Sequence, residues 1–299
     1  MSEPRHFIAG TELTRAELEA VVQRAVELKG IGADGPRPLA HRSVALLFEK
    51  PSTRTRVSFQ VGISQLGGQV LLLRSEELQL ARGESVRDTA LVLSRYIDAI
   101  AVRVGEHALL EDLARHSSVP VVNALTPLHH PCQALADMLT LQERFGRLEG
   151  LRVGYVGDGN NVCHSLMLLG ARAGVEVVAA TPAELRPDDA VVASAGDTAR
   201  VVEDPAEAAA GAHALYADVW VSMGDEPEAA RRRKLLTPYR LDAALLARAR
   251  DDAVVMHCLP AHPGEEITAD LLYGERSAVW DQAENRLHAQ KALMELLLG

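Results

Sequence analysis

The chain has little of what staples small secreted proteins together. It has equally little of what attaches a protein to a membrane or to nucleic acid. Its three cysteines, Cys132, Cys163 and Cys258, are odd in number and lack Cys-x-x-Cys spacing. A disulfide framework is therefore disfavoured, and the thiols read as free in a reducing compartment. No run of about 18 apolar residues occurs, so no membrane-spanning helix is expected. The start, Met1-Ser-Glu-Pro-Arg-His, lacks the basic and apolar regions of a secretory signal, and the expected setting is cytoplasmic. Positive charge is in deficit, with 41 Asp and Glu against 31 Lys and Arg for a net charge of -10. General affinity for nucleic acid or anionic lipid is thereby disfavoured, although a local basic pocket for a small anion is not. Internal repeats and low-complexity tracts are missing as well.

What remains is a 299-residue chain, 47% hydrophobic and 24% charged, long enough for two cores. Apolar runs at 44–48, 99–102, 153–156, 175–179, 219–222 and 254–257 read as strands, and amphipathic stretches lie between them. That alternation predicts an α/β fold with mostly parallel sheets. Phe59, Gly62, Ile63 and Leu66 recur at helical spacing and stop at Gly67-Gly68. Thr14 and Glu17 form a capping box. A second helix reads over 133–145, and the polar 146–150 connector before a strand at Leu151 places a domain boundary near 135–150.

Five segments carry chemistry. Lys50-Pro-Ser-Thr-Arg-Thr-Arg56 joins a strand to a helix, where open backbone N–H groups and the helix dipole suit a phosphate. Ser52, Thr53 and Thr55 add hydroxyls, and Arg54 or Arg56 adds a guanidinium fork. The same residues read equally as an N-cap and a solvated surface. The segment is not a P-loop, because no glycine-rich run ends in Gly-Lys-Ser/Thr. His129-His130-Pro131-Cys132-Gln133 opens a helix, with a His and a Gln able to donate to a developing oxyanion. A zinc pair is disfavoured by the lack of further Cys/His spacing.

Gly157-Asp-Gly-Asn-Asn161 also follows a strand. As a dinucleotide loop it fails at Val162, where a third glycine belongs, and at Thr181-Pro182, where an acidic ribose ligand belongs. Asn161 reads either as a turn former or as an amide for a substrate carboxylate. In Asp218-Val-Trp-Val-Ser-Met-Gly224, Asp218 and Ser222 share one face of an extended chain. A carboxylate there requires a cationic partner or a cleft, and a substrate ammonium is such a partner. In His257-Cys258-Leu259-Pro260 the thiol reads as packed or as nucleophilic. Arg231-Arg-Arg-Lys234 reads as a solvated face, and Glu284-Asn285-Arg286 as the opening of the last helix.

Together Pro-Ser-Thr-Arg-Thr-Arg, His-Pro-Cys-Gln, Gly-Asp-Gly-Asn-Asn, Asp-x-x-x-Ser-Met-Gly and His-Cys-Leu-Pro resemble, in order, the motifs of the aspartate and ornithine carbamoyltransferases. The resemblance covers residues 48–290. It implies two domains, each a mostly parallel sheet flanked by helices. Residues 1–140 would bind carbamoyl phosphate, residues 141–283 the acceptor, and a helix from about 284 to 299 would return to the first domain. Ser52, Thr53, Arg54, Thr55, Gln79, Arg103, His130, Gln133, Cys258, Leu259 and Arg286 would hold carbamoyl phosphate. Asn161, Asp218, Ser222 and Met223 would hold ornithine. Arg103, His130, Cys258 and Asp218 would be catalytic, with Cys258 orienting the attacking amine.

By the same resemblance Leu259–Pro260 is cis, and Gln79 reaches a neighbouring subunit's site, although Arg82-Gly83 replaces the commoner His-Lys. Ser-Met-Gly marks an ornithine acceptor, where aspartate enzymes carry an Arg-containing sequence. The implied reaction carbamoylates the δ-amine of ornithine to give citrulline and phosphate, a step of arginine metabolism. It needs no metal or cofactor, and the implied assembly is a homotrimer or a multiple of one. Putrescine and N-acetylornithine are the alternative acceptors; a nicotinamide-dependent dehydrogenase is the distant alternative.

Overall fold

A computed structural model describes residues 4–49, 52–74, 83–221 and 226–299. Lys50, Pro51, Gln79, Ser222 and Met223 lie outside the described residues. The chain divides into two compact units: Met1–Leu139 with Asn285–Gly299, and Thr140–Glu284.

In the first unit, α1 (Arg15–Ile31) opens on the expected box, with Thr14 and Glu17 bonding reciprocally. It is followed by β1 (Ser43–Phe48), α2 (Thr53–Gln65), β2 (Gln69–Arg74), α3 (Val86–Leu93), β3 (Ala99–Arg103), α4 (His107–His116), β4 (Val121–Leu125) and α5 (Pro131–Phe145). The strands pair in parallel in the order β2-β1-β3-β4. Buried Ala45, Leu47, Ile100, Val102, Leu110 and Leu113 fill one core, the near-continuous apolar strand pattern of a sheet covered on both faces. α5 continues past Leu139 into the second unit.

There β5 (Arg152–Val156), α6 (Asn161–Ala173), β6 (Glu176–Ala180), α7 (Asp189–Ala195), β7 (Ala199–Val202), α8 (Pro205–Ala209), β8 (Ala214–Ala217), α9 (Ala229–Leu236), α10 (Ala243–Leu246), β9 (Val254–His257) and α11 (Ala269–Leu272) follow, and α12 (Val279–Leu298) ends the fold. The strand order is β7-β6-β5-β8-β9, again all parallel. Val156, Val178, Leu215, Trp220 and Val255 belong to its core.

From Asn285 onward α12 belongs to the first unit. Its Asn285 accepts from Lys29 Nζ (2.8 Å) and its Glu295 pairs with Arg24 (2.9 Å). At Gly62 of α2 an added Cβ would meet Lys291 at 3.1 Å and Leu287 at 3.3 Å, so glycine permits the close helix contact.

The fold class is as expected, with three local differences. The strand expected at 219–222 lies earlier, at Ala214–Ala217, and Asp218 to Val221 leave the sheet without strand structure. The alternation that suggested one extended face there is the pattern of a strand end entering a loop. Glu284 to Arg286 do not open the last helix, which begins at Val279. Strands β2, β4 and β7 carry apolar residues too brief or too mixed to have stood out.

Each sheet reverses its winding once: between β1 and β3 in the first unit, and between β5 and β8 in the second. In open parallel sheets the loops leaving the strands at such a reversal diverge and leave a crevice.

Candidate functional site

At the first reversal, β1 delivers Glu49 and β3 delivers Arg103. The β3–β4 register shifts between Val102 and Arg103, an irregularity that re-aims the side chain at the strand end. Glu49 brackets the turn that follows that residue. Its N–H donates to the Arg103 carbonyl (3.0 Å), and its carboxylate accepts from the Gly105 N–H (2.6 Å). Arg103 Nη1 in turn donates to Ser52 Oγ at 3.0 Å. Ser52 occupies the N-cap position of α2, yet its side chain makes no capping bond. The hydroxyl serves Arg103 instead, and the first-turn N–H groups of α2 are left open to an anion.

The turn from Thr126 to His129 closes on itself, through Thr126 N–H to His129 O (2.9 Å) and His129 N–H to Thr126 Oγ1 (3.2 Å). It sets His130 directly before Pro131, the first residue of α5, where a proline costs no hydrogen bond. Arg286 is the hub of the cluster. Its Nη1 donates to Gln133 Oε1 (2.7 Å) and His130 Nε2 (3.2 Å), and its Nη2 donates to Thr55 Oγ1 (2.8 Å). Gln133 then donates to Asp137 at 2.9 Å. Thr55, His130, Gln133 and Arg286 are all buried, whereas Thr53, Arg54 and Arg56 are exposed on the first turn of α2.

The electrostatics are those of guanidinium groups crowded together and partly buried. Burial, then Arg286 and Arg54, push the Arg103 pKa down to about 10. Burial first, then Arg286 and Arg103, hold His130 well below its ordinary value. The ring is neutral at neutral pH. Because Arg286 is an obligate donor, His130 Nε2 accepts and the proton belongs on Nδ1. Cys132 is buried with its pKa pushed up to about 12, an inert thiol whose Sγ donates to the Asn123 carbonyl (3.3 Å).

At the second reversal the chemistry is opposite in sign. Asp218 follows β8 and is buried. Its Oδ1 accepts from Cys258 Sγ at 2.7 Å and its Oδ2 from Asn160 Nδ2 at 2.7 Å. Sequence reasoning singled out Asn161 and missed Asn160. The side-chain oxygen of Asn160 caps α6, accepting from the Val162 and Cys163 N–H groups, and its amide nitrogen is free to turn toward Asp218. The only available signal was an Asn immediately before a helix. Asn161 is the first residue of α6, next to that cap.

His257 ends β9 and is buried. Its Nδ1 accepts from the Leu259 N–H (2.9 Å), and its Nε2 faces Glu266 Oε1 at 3.2 Å. This clamp holds Leu259 at φ 58, a region a leucine seldom adopts, and Leu259–Pro260 is cis. Among the described residues Asp218, His257 and Cys258 bring donor atoms within 4.8 Å of one another. They suit a metal poorly, because both His257 ring nitrogens are committed.

The dinucleotide reading, which fails in sequence at Val162, fails in structure as well, and one other reading needs correction. Gly159 cannot admit a dinucleotide's phosphates in the usual way. Its N–H donates to the Leu185 carbonyl (2.8 Å), and a Cβ there would lie 2.3 Å from the Pro187 nitrogen. The 185–187 segment thus fills the space over the loop. The Arg231–Lys234 run is not uniformly solvated either. Arg231 and Arg233 are exposed and pair with Glu184 and Glu265, but Arg232 is buried, and its guanidinium bonds Asp158 and the Trp220 carbonyl.

Two family models match, one over each half of the chain. The carbamoyl-P binding domain of aspartate/ornithine carbamoyltransferases matches residues 5–143, and the Asp/Orn binding domain of the same family matches residues 149–297. Among curated relatives, an ornithine carbamoyltransferase of Methanoculleus marisnigri is 52% identical, covering 99% of this chain and 97% of its own. One from Acidothermus cellulolyticus is 54% identical, covering 98% and 96%. The solved ornithine carbamoyltransferase of Pyrococcus furiosus superposes with a TM-score of 0.95 at 46% identity, covering 99% of this chain and 98% of that one. With a donor-rich cluster at one sheet reversal, a fixed carboxylate at the other and both domain models matched, the chain belongs to the aspartate/ornithine carbamoyltransferase family.

Proposed function

We propose that the protein transfers the carbamoyl group of carbamoyl phosphate to the δ-amine of L-ornithine, releasing citrulline and phosphate. The observation that carries the choice of acceptor is Asp218, a buried carboxylate held at both oxygens. A fixed anion selects a substrate ammonium, as on ornithine, and would repel the side chain of aspartate. The names of the relatives support the same acceptor.

In this reading the phosphate lies on the open N–H groups of α2 with Ser52, Thr53, Arg54, Thr55 and Arg103. Arg103, Thr55 and His130 polarise the carbamoyl oxygen, and their fixed dipoles stabilise the tetrahedral oxyanion. Binding of the substrate requires His130 to turn its protonated nitrogen, or exchange its tautomer, toward that oxygen. Gln133 and the Leu259 carbonyl accept from the carbamoyl NH₂, and Arg286 secures Thr55, His130 and Gln133. Asp218 with Ser222 takes the α-amine, Asn161 with the Met223 N–H takes the α-carboxylate, and Cys258 orients the δ-amine. That amine, ordinarily protonated below about pH 10.4, enters as the free base. Its nitrogen bonds to the carbamoyl carbon, the C–O bond to phosphate breaks, and the departing phosphate takes the proton.

A homotrimer or a multiple of one, with Gln79 acting in the neighbouring subunit, is part of the proposal. Exposed Val57, Val61, Leu71, Leu91, Val92 and Tyr96 of the first unit are the kind of surface such copies would cover. A cytoplasmic setting accords with the free thiols, and no helix among the described residues is long and apolar enough to cross a membrane.

The test is product formation from carbamoyl phosphate with ornithine, putrescine, N-acetylornithine and aspartate in parallel. Citrulline with equimolar phosphate, from ornithine alone, is expected. Product from another acceptor would keep the first cluster and overturn the role of Asp218.

A further inference from the structure

Arg232 sits on α9, fourteen residues beyond Asp218 and outside every motif that carries the family resemblance. Its neighbours behave as surface charges: Arg231 pairs with Glu184 and Glu228, and Arg233 with Glu265. Arg232 instead turns inward. Its side chain is 11% exposed and that of its partner Asp158 is 12% exposed. Nη2 bonds the Asp158 carboxylate, and Nε donates to the Trp220 carbonyl at 2.9 Å.

Those two acceptors lie in different loops, and each loop carries an acceptor-site residue close by. Asp158 is two residues before Asn160, and its carbonyl receives the Tyr155 hydroxyl (2.8 Å) and the Asn160 N–H (2.8 Å). Trp220 is two residues after Asp218. The loops also meet directly, through Asn160 Nδ2 and Asp218 Oδ2 at 2.7 Å. One guanidinium therefore ties the backbone of the β8 exit to the β5–α6 loop, beside the bond that orients Asp218. A planar fork with fixed N–H directions can serve a carbonyl and a carboxylate together, which the single ammonium of a lysine does less well.

We infer that Arg232 is a positioning residue for the amino-acid acceptor: it holds the loops after β5 and β8 in the register that aims Asp218 at the substrate ammonium. It touches no substrate, and its effect passes through Asp158 and the Trp220 carbonyl. The inference rests on the proposed role of Asp218. A structural role alone would lower stability and leave the two substrates equally affected. A positioning role raises the KM of the acceptor and spares carbamoyl phosphate, whose proposed phosphate contacts are all in the other unit.

The experiment measures both KM values, kcat and Tm for Arg232→Ala, Arg232→Lys, Asp158→Asn and Arg233→Ala, with whichever acceptor the parent enzyme carbamoylates. Arg232→Ala is expected to raise the acceptor KM at least about tenfold, with the KM of carbamoyl phosphate within about twofold. Arg232→Lys, which keeps a charge for Asp158 and loses the guanidinium fork, is expected to fall between it and the parent. Asp158→Asn should move the acceptor KM in the same direction, and Arg233→Ala should leave it unchanged. If Arg232→Ala does not fold, the lysine variant decides alone. The inference is overturned if the folded Arg232 variants lower Tm with acceptor KM unaltered, or if both KM values rise together. Failure of the proposed reaction would be seen separately, as a parent enzyme that yields no citrulline from ornithine.

Discussion

The two units solve one structural problem twice and fill the result with opposite charge. Each has a parallel sheet with one reversal, and each places its polar cluster at the strand ends beside that reversal. In the first unit the cluster is built from Arg103, Arg286, Ser52, Thr55 and a neutral His130, all able to donate. In the second it is built around an acceptor, Asp218, oriented by an amide and a thiol. The topology supplies the crevice; the few residues that leave the strands decide whether it is lined by donors or by a carboxylate.

The sharpest way to break this contrast is to remove the hub of the first cluster. Arg286→Ala deletes three hydrogen bonds at once and leaves Thr55, His130 and Gln133 to reorganise. A loss of about 10³-fold or more in kcat/KM for carbamoyl phosphate is expected, since single oxyanion donors are each worth about 10²–10³. Steady-state kinetics within about fivefold of the parent would sink the assignment. Asp218→Asn should come next, at about 10²-fold in kcat/KM for ornithine, because it removes the charge and keeps the shape. Thermal stabilisation by phosphate should persist in that variant; its disappearance would mean that the division of labour between the units is wrong.

A smaller effect follows from the protonation state of His130. Its folded-state pKa lies well below 6.5. Below about pH 6.5 the unfolded chain binds a proton that the folded chain refuses. Stability is therefore lost as pH falls below about 6.5 and is indifferent to this group above it, with a slope of at most about 1.4 kcal/mol per pH unit. Burial depresses His6 and His107 of the same unit and His213 of the other in the same direction. A plot of Tm against pH should fall below pH 6.5, and His130→Gln should flatten it; parallel plots for the two proteins would refute the neutral ring.

How much of this was legible without coordinates depended on whether the signal was local. Strand–loop–helix junctions carry part of their meaning in sequence, so the Ser52–Arg56 segment and the His130–Gln133 helix start stood out from the residues, whereas the cis Leu259–Pro260 bond came only through the family resemblance. Asn160 and Arg232 did not stand out. The two adjacent asparagines differ only in which one caps α6, a choice made by backbone geometry. Arg232 is identical in type to both its neighbours, and only the turn of α9 on the second core decides which of the three points inward. The 219–222 stretch misled for the complementary reason: a loop that packs Trp220 into the core keeps a strand-like pattern.

The smallest expected effect probes a carboxylate placed beside the cationic cluster. Glu49 is exposed, yet its main chain and side chain grip the backbone that leaves Arg103, at the Arg103 carbonyl and the Gly105 N–H. If its purpose is mechanical, Glu49→Gln keeps an acceptor for the Gly105 N–H and should change the KM of carbamoyl phosphate by no more than about twofold. Glu49→Ala, which releases the bracket, should raise it about three- to tenfold, the worth of one partly solvated hydrogen bond. If the carboxylate instead acts through its charge, weakening the hold on an anion, both variants should bind carbamoyl phosphate more tightly than the parent. The sign of the change in KM for Glu49→Ala therefore separates the two roles, and the glutamine variant gives its size without loss of the hydrogen bond.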